Sequence, residues 1–323
     1  MTFAGSPDRV EARLVPEAGF ELDSFRISGL PRRPGLAQAR AVLLAGSAPL
    51  ACARIIRRRR PDVVLGGGGY VAGPMVFAAA LRRLPTAVME ADAHLGLANR
   101  IASPFARRIF LAYPIRGRDD GKKYRVVGRP IPRASRPWPR AEARQRLELP
   151  AEGPALLVFG GSQGSRALNE LAVESFGAFG PTLVHVCGEP HYEALRARVS
   201  RADYRLLPWV PEFGAALGAC DLVLARAGGS VFEVAAAALP AVLVPYPFAT
   251  GDHQTANARH FAAGGGAIVV PEAELGRVPE LVRSLLDDPP RRAAMSEAMR
   301  ALARPDAAEL IAEEVVALAR SRR

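Results

Sequence analysis

The segment Ala225-Arg226-Ala227-Gly228-Gly229-Ser230-Val231-Phe232-Glu233 holds the residue types that most constrain chemistry. An apolar run, 222–224, enters a turn of small residues, and the turn opens an alanine-rich helix carrying an acid, Glu233, in its first turn. Backbone N–H groups and the helix dipole at such a start favour a diphosphate. A carboxylate one turn further on accepts both hydroxyls of a ribose, as acids do in dinucleotide folds. The next strand-to-helix loop carries Pro245-Tyr246-Pro247 and Asp252-His253-Gln254-Thr255-Ala256-Asn257. There the Gln254 amide is placed to read sugar hydroxyls and Asn257 to brace the loop. The ordered pair of segments points to a nucleotide sugar. Each residue also has a plainer reading: Glu233 as a first-turn acid complementing a helix dipole, and Arg226 as a solvated surface arginine rather than a contact to a diphosphate.

Two further glycine turns follow apolar runs. Gly160-Gly161-Ser162-Gln163-Gly164 follows Ala155–Phe159, and the run of four glycines at 66–69 follows Val63-Val64-Leu65. Both supply N–H groups for an anion, or serve as tight turns that need a positive φ.

These groups must be held by alternating strands and helices. Strand-like runs stand at 61–65, 86–89, Arg108–Leu111, 124–127, Ala155–Phe159, Thr182–Val186, Tyr204–Leu207, 222–224, 241–244 and 267–270, with a helix over 73–84 and a last helix from about Pro305. Short continuous apolar strands separated by helices predict parallel sheets covered on both faces. The chain has 323 residues, 49% of them hydrophobic, enough for two domains, with cores built from Ala, Val and Leu because aromatics are only 7%. The proline-rich stretch 128–139 interrupts the alternation and reads as the interdomain linker. Expected domains are therefore 1–130, 131–304 and a C-terminal helix, 305–323, that packs back toward the first. A doubly wound domain opens with strand, glycine loop and helix, whereas Thr2-Phe3-Ala4-Gly5-Ser6 already reads as a strand ending in a loop.

Cys52, Cys187 and Cys220 are odd in number and apolar in context, predicting buried thiols in a reducing cytoplasm and neither disulfides nor a metal site. No signal peptide opens the chain, and no uncharged apolar run reaches the roughly 20 residues that span a bilayer. The net charge of +11 is uneven: residues 1–130 hold 22 Lys+Arg against 10 Asp+Glu. No recognition helix, RNA-binding aromatic signature or zinc knuckle accompanies that charge, which favours an anionic membrane surface or ligand over nucleic acid. Residues 35–56 are apolar with scattered arginine and end in Arg57-Arg58-Arg59-Arg60. They read as an amphipathic basic element on anionic lipid, or as a core-facing helix with a solvated charged end.

At these residues the sequence resembles the MurG family of N-acetylglucosamine transferases. Gly66 to Tyr70 with Val71-Ala72-Gly73-Pro74 is similar to its Gly-Gly-Tyr-x-(Ser/Ala)-Gly-Pro block, and residues 160–169 are similar to its Gly-Gly-Ser-Gln-Gly-(Ala/Ser)-x-x-(Leu/Ile)-Asn block. Residues 226–233 and 252–257 fall on the family's donor segments, and the resemblance runs the length of the chain. It implies a GT-B fold of two Rossmann-like doubly wound domains facing a cleft. It also implies inverting transfer of GlcNAc from UDP-GlcNAc to the C4 hydroxyl of lipid I, undecaprenyl-pyrophosphoryl-MurNAc-pentapeptide, at the cytoplasmic face of the membrane. No cofactor or catalytic metal is implied; with no Asp-x-Asp pair in a suitable loop, N–H groups and helix dipoles stabilise the leaving UDP.

By the same resemblance Asp92, Arg133, Gly161, Ser162, Gln163, Gly164, Val210, Gly228, Gly229, Ser230, Glu233 and Gln254 bind the donor, with Val210 presenting backbone to the uracil. Gly67, Gly68, Gly69, Tyr70 and Arg226 hold the acceptor diphosphate. The family's His-Glu-Gln-Asn-Gly is Met89-Glu90-Ala91-Asp92-Ala93 here, so Asp92 replaces an amide by a group that only accepts; His94 stands two residues on, and Glu90 and Asp92 are the candidates for acid–base work. The family's opening Gly-Gly-Thr-x-Gly-His loop has no counterpart. That implies a start upstream of Met1, or else an inactive UDP-sugar-binding paralogue; loss of that strand leaves unpaired ladder groups and exposed apolar surface in the first sheet. A UDP-GlcNAc 2-epimerase is the alternative enzyme of similar architecture.

Overall fold

The computed structural model describes residues 1–27, 35–118 and 120–321. The chain divides into two units, residues 1–127 with 309–323, and residues 128–308. The first unit opens with β1 (Phe3–Gly5), α1 (Glu11–Glu17), β2 (Leu22–Ser24), α2 (Leu36–Arg59), β3 (Val64–Gly66), α3 (Gly69–Leu81), β4 (Thr86–Glu90), α4 (Leu97–Ala102), β5 (Arg108–Leu111) and β6 (Tyr124–Val126). The second continues with α5 (Arg140–Arg146), β7 (Ala155–Phe159), α6 (Arg166–Phe176), β8 (Thr182–Val186), α7 (Tyr192–Arg196), β9 (Tyr204–Leu207), α8 (Phe213–Ala219), β10 (Leu222–Ala225) and α9 (Val231–Ala236). It ends with β11 (Ala241–Leu243), α10 (His253–Ala263), β12 (Ala267–Val269), α11 (Val278–Leu286) and α12 (Pro289–Leu302), after which α13 (Ala307–Arg320) returns to the first unit.

All strand pairs are parallel. The second unit has one six-stranded sheet in the order β12-β11-β10-β7-β8-β9. Every residue of β7, β10 and β11 is buried, as apolar strands must be when helices cover both faces. The core on one side joins Leu156, Val158, Leu222 and Leu224 to Leu168, Phe176, Val282 and Leu285 from the helices.

In the first unit the strands fall into two sheets, β1-β2 and β3-β4-β5-β6. Among the described residues β1 pairs only with β2 and β3 only with β4, so each presents an unpaired edge. Phe3 is 39% and Leu65 43% exposed, unusual for parallel strands. Ile311, Val315 and Leu318 of α13 pack against Ala87, Phe110 and Val127, and Glu314 pairs with Arg125 and, at 3.2 Å, with Arg108.

Three local expectations change. The helix expected at 73–84 begins at Gly69 because Gly68 and Gly69 adopt φ of +95° and +71°, turning the chain four residues earlier. It stops at Leu81, where Arg83 at φ +57° closes the end and Leu84 N–H donates to the Ala79 carbonyl at 3.0 Å. The proline-rich stretch 128–139 is packed onto the second unit rather than spanning freely. Trp138 N–H donates to the Gly214 carbonyl at 3.1 Å, and a Cβ at Gly214 or Gly218 would lie 1.9 Å from the Arg136 carbonyl or 2.2 Å from that of Trp138.

Candidate functional site

In the six-stranded sheet the strand order reverses between β7 and β10, and in open α/β sheets the crevice outside the carboxyl ends at such a point takes the ligand. The loop after β7 is 160–165 and the loop after β10 is 226–230, so the fold places two of the predicted segments side by side.

The first loop is shaped by steric necessity. Gly161 and Gly164 sit at φ +90° and +72°, and a Cβ on Gly164 would lie 1.9 Å from the Cys187 carbonyl oxygen at the end of β8. Ser165 caps α6, its hydroxyl accepting from Leu168 N–H at 3.5 Å. Gly161, Ser162 and Gln163 are exposed on the outside of this turn, in front of a helix start whose first N–H groups lack intrahelical partners. In the second loop Gly228 and Ser230 are half-buried, and Glu233 in the first turn of α9 is half-buried with no side-chain partner among the described residues. Its carboxylate is thus available to a ligand.

Gln254, in the first turn of α10, uses its Oε1 to accept from Tyr246 N–H at 2.9 Å. Asn257, fully buried, donates to the Ala227 carbonyl at 3.2 Å, which is the bracing role read from sequence. Val210 is buried as a packing residue beside Trp209, which is 57% exposed. Arg133 stands exposed in a turn of 3-10 helix, 133–135, without a bond to these loops among the described residues.

Arg226 departs from expectation. Placed at a diphosphate by sequence, it is 7% exposed and its guanidinium donates to Ser165 Oγ (3.0 Å), to the carbonyls of Val244 (3.3 Å) and Pro245 (3.2 Å), and to Glu272. With its donors taken up by protein acceptors, it is a brace under the loops and not a group facing a phosphate.

Two features escaped the sequence. The Arg129 guanidinium lies against Gly229, where a Cβ would come within 2.2 Å of it; nothing in its proline-rich surroundings signals that contact. His185, completely buried in β8, sits beneath the first loop with Nδ1 2.8 Å from the Tyr204 hydroxyl and Nε2 3.0 Å from Asn169 Oδ1. Asn169 Nδ2 donates to the Cys187 carbonyl at 2.9 Å, so its Oδ1 accepts; Nε2 therefore carries the proton and Nδ1 accepts from Tyr204. Burial lowers the His185 pKa from 6.5 to about 3 and raises that of the Tyr204 hydroxyl. Between pH 6.5 and 3 the unfolded chain binds a proton here that the native chain refuses. The stability this histidine contributes is complete above pH 6.5 and declines as pH falls, by up to about 1.4 kcal/mol per unit. Urea denaturation at pH 7 and pH 5 should show that loss, and a His185→Gln variant should show a smaller pH dependence.

In the first unit, β3 ends in Gly66, whose Cβ would press 2.9 Å from Val76 of α3; the glycine admits the helix against the strand. Gly67 and Gly69 are exposed at the start of α3. Tyr70 is half-buried and packs against the cluster of Phe25, Cys52 and Ile56. Glu90, expected as an acid–base candidate, is 6% exposed and accepts from Asp92 N–H (3.2 Å), Gly96 N–H (2.8 Å) and Asn99 Nδ2 (2.9 Å). Its oxygens are taken up in shaping the loop that carries Asp92, which corrects the proton-transfer assignment. The arginine cluster also changes role in part. Arg59 binds Asp23 (2.8 Å) and Glu21 (2.7 Å), and Arg58 binds Asp23, whose carboxyl these guanidinium groups, Arg59 foremost, hold below its usual pKa. The side chains of residues 36–45 lie outside the described set. Leu50 of α2 is 67% exposed, and exposed apolar groups also stand on α3 and α4: Leu81 at 69%, Leu97 at 66% and Ile101 at 62%, with Phe77 edge-on to Phe105 at 5.3 Å and Arg82, Arg83 and Arg100 exposed.

A cavity of about 510 Å³ flanks the edge strand β9, lined in part by Arg146, Tyr192, Arg196 and Arg205. Three of its arginines are paired, Arg196 with Glu193, Arg201 with Asp203 and Arg205 with Glu148.

Residues 2–111 match the model of the glycosyltransferase family 28 N-terminal domain and residues 155–311 that of its C-terminal domain. The UDP-N-acetylglucosamine--N-acetylmuramyl-(pentapeptide) pyrophosphoryl-undecaprenol N-acetylglucosamine transferase of Rubrobacter xylanophilus is 39% identical over 330 residues, spanning 99% of this chain and 96% of the relative. The crystal structure of Acinetobacter baumannii MurG superimposes with a TM-score of 0.75 at 27% identity, covering 97% of this chain and 90% of that one. UDP-GlcNAc 2-epimerase from Neisseria meningitidis superimposes at 0.61 with 12% identity over 98% of each chain, a likeness of fold alone.

Proposed function

The chain belongs to glycosyltransferase family 28, a glycosyltransferase of the two-domain α/β GT-B fold, and we propose that it transfers GlcNAc from UDP-GlcNAc to the C4 hydroxyl of the MurNAc of lipid I, forming lipid II for peptidoglycan. The observation that carries the reading is local. A carboxylate with no side-chain partner among the described residues, Glu233, and two glycine turns meet at the switch point of the second sheet, with Gln254 in the first turn of the neighbouring α10. Glu233 takes the ribose hydroxyls, the turns at 161–164 and 228–230 take the diphosphate, and the Gln254 amide takes sugar hydroxyls. The acceptor hydroxyl oxygen bonds to the anomeric carbon as the bond from that carbon to the UDP oxygen breaks, and the hydroxyl proton passes to solvent water. The electron pair leaves with UDP, where preorganised N–H donors stabilise the new charge. The configuration inverts because attack and departure are on opposite faces. In the first unit, Gly67, Gly68 and Gly69 at the start of α3 hold the acceptor diphosphate.

Incubation with UDP-GlcNAc and a soluble lipid I analogue tests the proposal. A GlcNAc–MurNAc disaccharide and free UDP are expected. UDP-ManNAc would replace it with epimerisation, and UDP binding without product would replace it with a non-catalytic sugar-nucleotide protein.

A lipid acceptor requires a membrane contact, and among the described residues no helix is long and apolar enough to cross a bilayer. We assign peripheral contact with an anionic leaflet, on the cytoplasmic side where UDP-GlcNAc is made, to Leu81, Leu97 and Ile101 with Arg82, Arg83 and Arg100. Burying one leucine contributes ~1.5–3 kcal/mol and each cation about 1 kcal/mol near such a surface. Replacing Leu81 and Ile101 together by Ser should cut binding to phosphatidylglycerol vesicles in a flotation assay by about tenfold or more, with transfer to a soluble acceptor unchanged.

A further inference from the structure

Four adjacent strands of the second sheet, in the order β12-β11-β10-β7, end on the side where the donor is proposed to bind, and one side chain links the loops that leave all four. Arg226 itself is the first residue after β10. Its Nε donates to Ser165 Oγ, the cap of α6 at the end of the loop after β7 (3.0 Å). Its Nη1 donates to the carbonyls of Val244 and Pro245 after β11 (3.3 and 3.2 Å), and its Nη2 binds Glu272 after β12. The ring of Tyr246 stands 5.4 Å from its Cζ, and the Tyr246 N–H continues the connection to Gln254 Oε1.

We infer that Arg226, paired with Glu272, is a positioning residue that sets the affinity for the nucleoside diphosphate sugar without touching it, by holding the loops after β7, β10 and β11 at fixed mutual distances. The inference rests on the donor site proposed above. The chemistry calls for arginine: a planar fork donates in several fixed directions at once, whereas a lysine ammonium is a point charge on a flexible stem that satisfies one or two of these acceptors. Glu272 offsets the charge that burial would otherwise leave uncompensated. Exposed Tyr246 and Phe248, edge-on at 5.6 Å, ride on the same brace.

The test is calorimetric titration of UDP into the full chain, its Arg226→Lys variant and its Glu272→Gln variant, with the melting midpoint of each and Michaelis constants for both substrates. Arg226→Lys keeps the charge opposite Glu272 and Glu272→Gln keeps an acceptor for Nη2, so a folded variant is available even if one of the two fails to fold. The expected result is UDP binding weakened about 10- to 100-fold in Arg226→Lys, the scale of a misplacement of about 1 Å, and less in Glu272→Gln, with the donor KM rising in step and the acceptor KM within twofold. Folded variants that bind UDP within twofold of the parent chain, or that lose both substrates equally, overturn the inference while leaving the donor site standing. A parent chain that fails to bind UDP overturns both.

Discussion

Replacing Glu233 by Ala raises the donor KM by about 10- to 100-fold and leaves the acceptor KM within twofold. The carboxylate has no side-chain partner among the described residues, so its removal breaks nothing that holds the fold. The loss to stability is limited to its interaction with the α9 dipole, below about 1 kcal/mol. The loss to binding is that of hydrogen bonds from ribose hydroxyls to a charged acceptor, ~1.5–3 kcal/mol, which is the stated fold-change at about 1.4 kcal/mol per tenfold. Glu233→Gln, still an acceptor but uncharged, should fall between. Steady-state kinetics with UDP-GlcNAc varied at fixed acceptor decides it; an unchanged donor KM in folded Glu233→Ala removes the ribose assignment.

Gly164→Ala is the second large effect, and its contrast with Gly161→Ala makes it specific. Both glycines have positive φ, so either alanine carries the left-handed penalty of roughly 1–2 kcal/mol. At Gly161 a Cβ meets nothing within 4 Å, and that strain is the whole cost. At Gly164 it meets backbone, the Cys187 carbonyl at 1.9 Å, and the ring of His191 at 2.9 Å. The loop must then move bodily off the end of β8, carrying the Ser162 and Gln163 backbone with it. UDP binding should be abolished in Gly164→Ala and weakened only a few-fold in Gly161→Ala, and urea midpoints should rank the same way.

The second unit was the more legible because its signals are local. Runs such as Ala155–Phe159, Thr182–Val186 and Tyr204–Leu207 are short and largely apolar between turn residues, and their observed ends match the reading. Glu233 was legible for the same reason, being defined by a strand, a turn and a helix start that are contiguous in sequence. What depended on distant partners was not. The role of Arg226 is fixed by Ser165, 61 residues away, and by Glu272, 46 away. His185 is satisfied by Asn169 and Tyr204, 16 and 19 residues off, and in sequence is a lone histidine in an apolar strand. The stretch 128–139 reads as linker from its prolines, yet Gly214 and Gly218, which let its backbone lie on α8, are far along the chain. Glu90 reads differently in sequence because the groups that occupy its carboxylate, the N–H groups of Asp92 and Gly96 in the loop and the Asn99 amide on α4, are brought to it by a loop whose fold no pattern announces.

A sugar nucleotide lying at the carboxyl ends of β7 and β10 is the central claim, and isothermal titration of UDP-GlcNAc into the full chain tests it most directly. One site per chain, with a melting midpoint that climbs with ligand concentration and a heat lost in Glu233→Ala, is the predicted result. Absence of both heat and thermal protection in folded protein would contradict it.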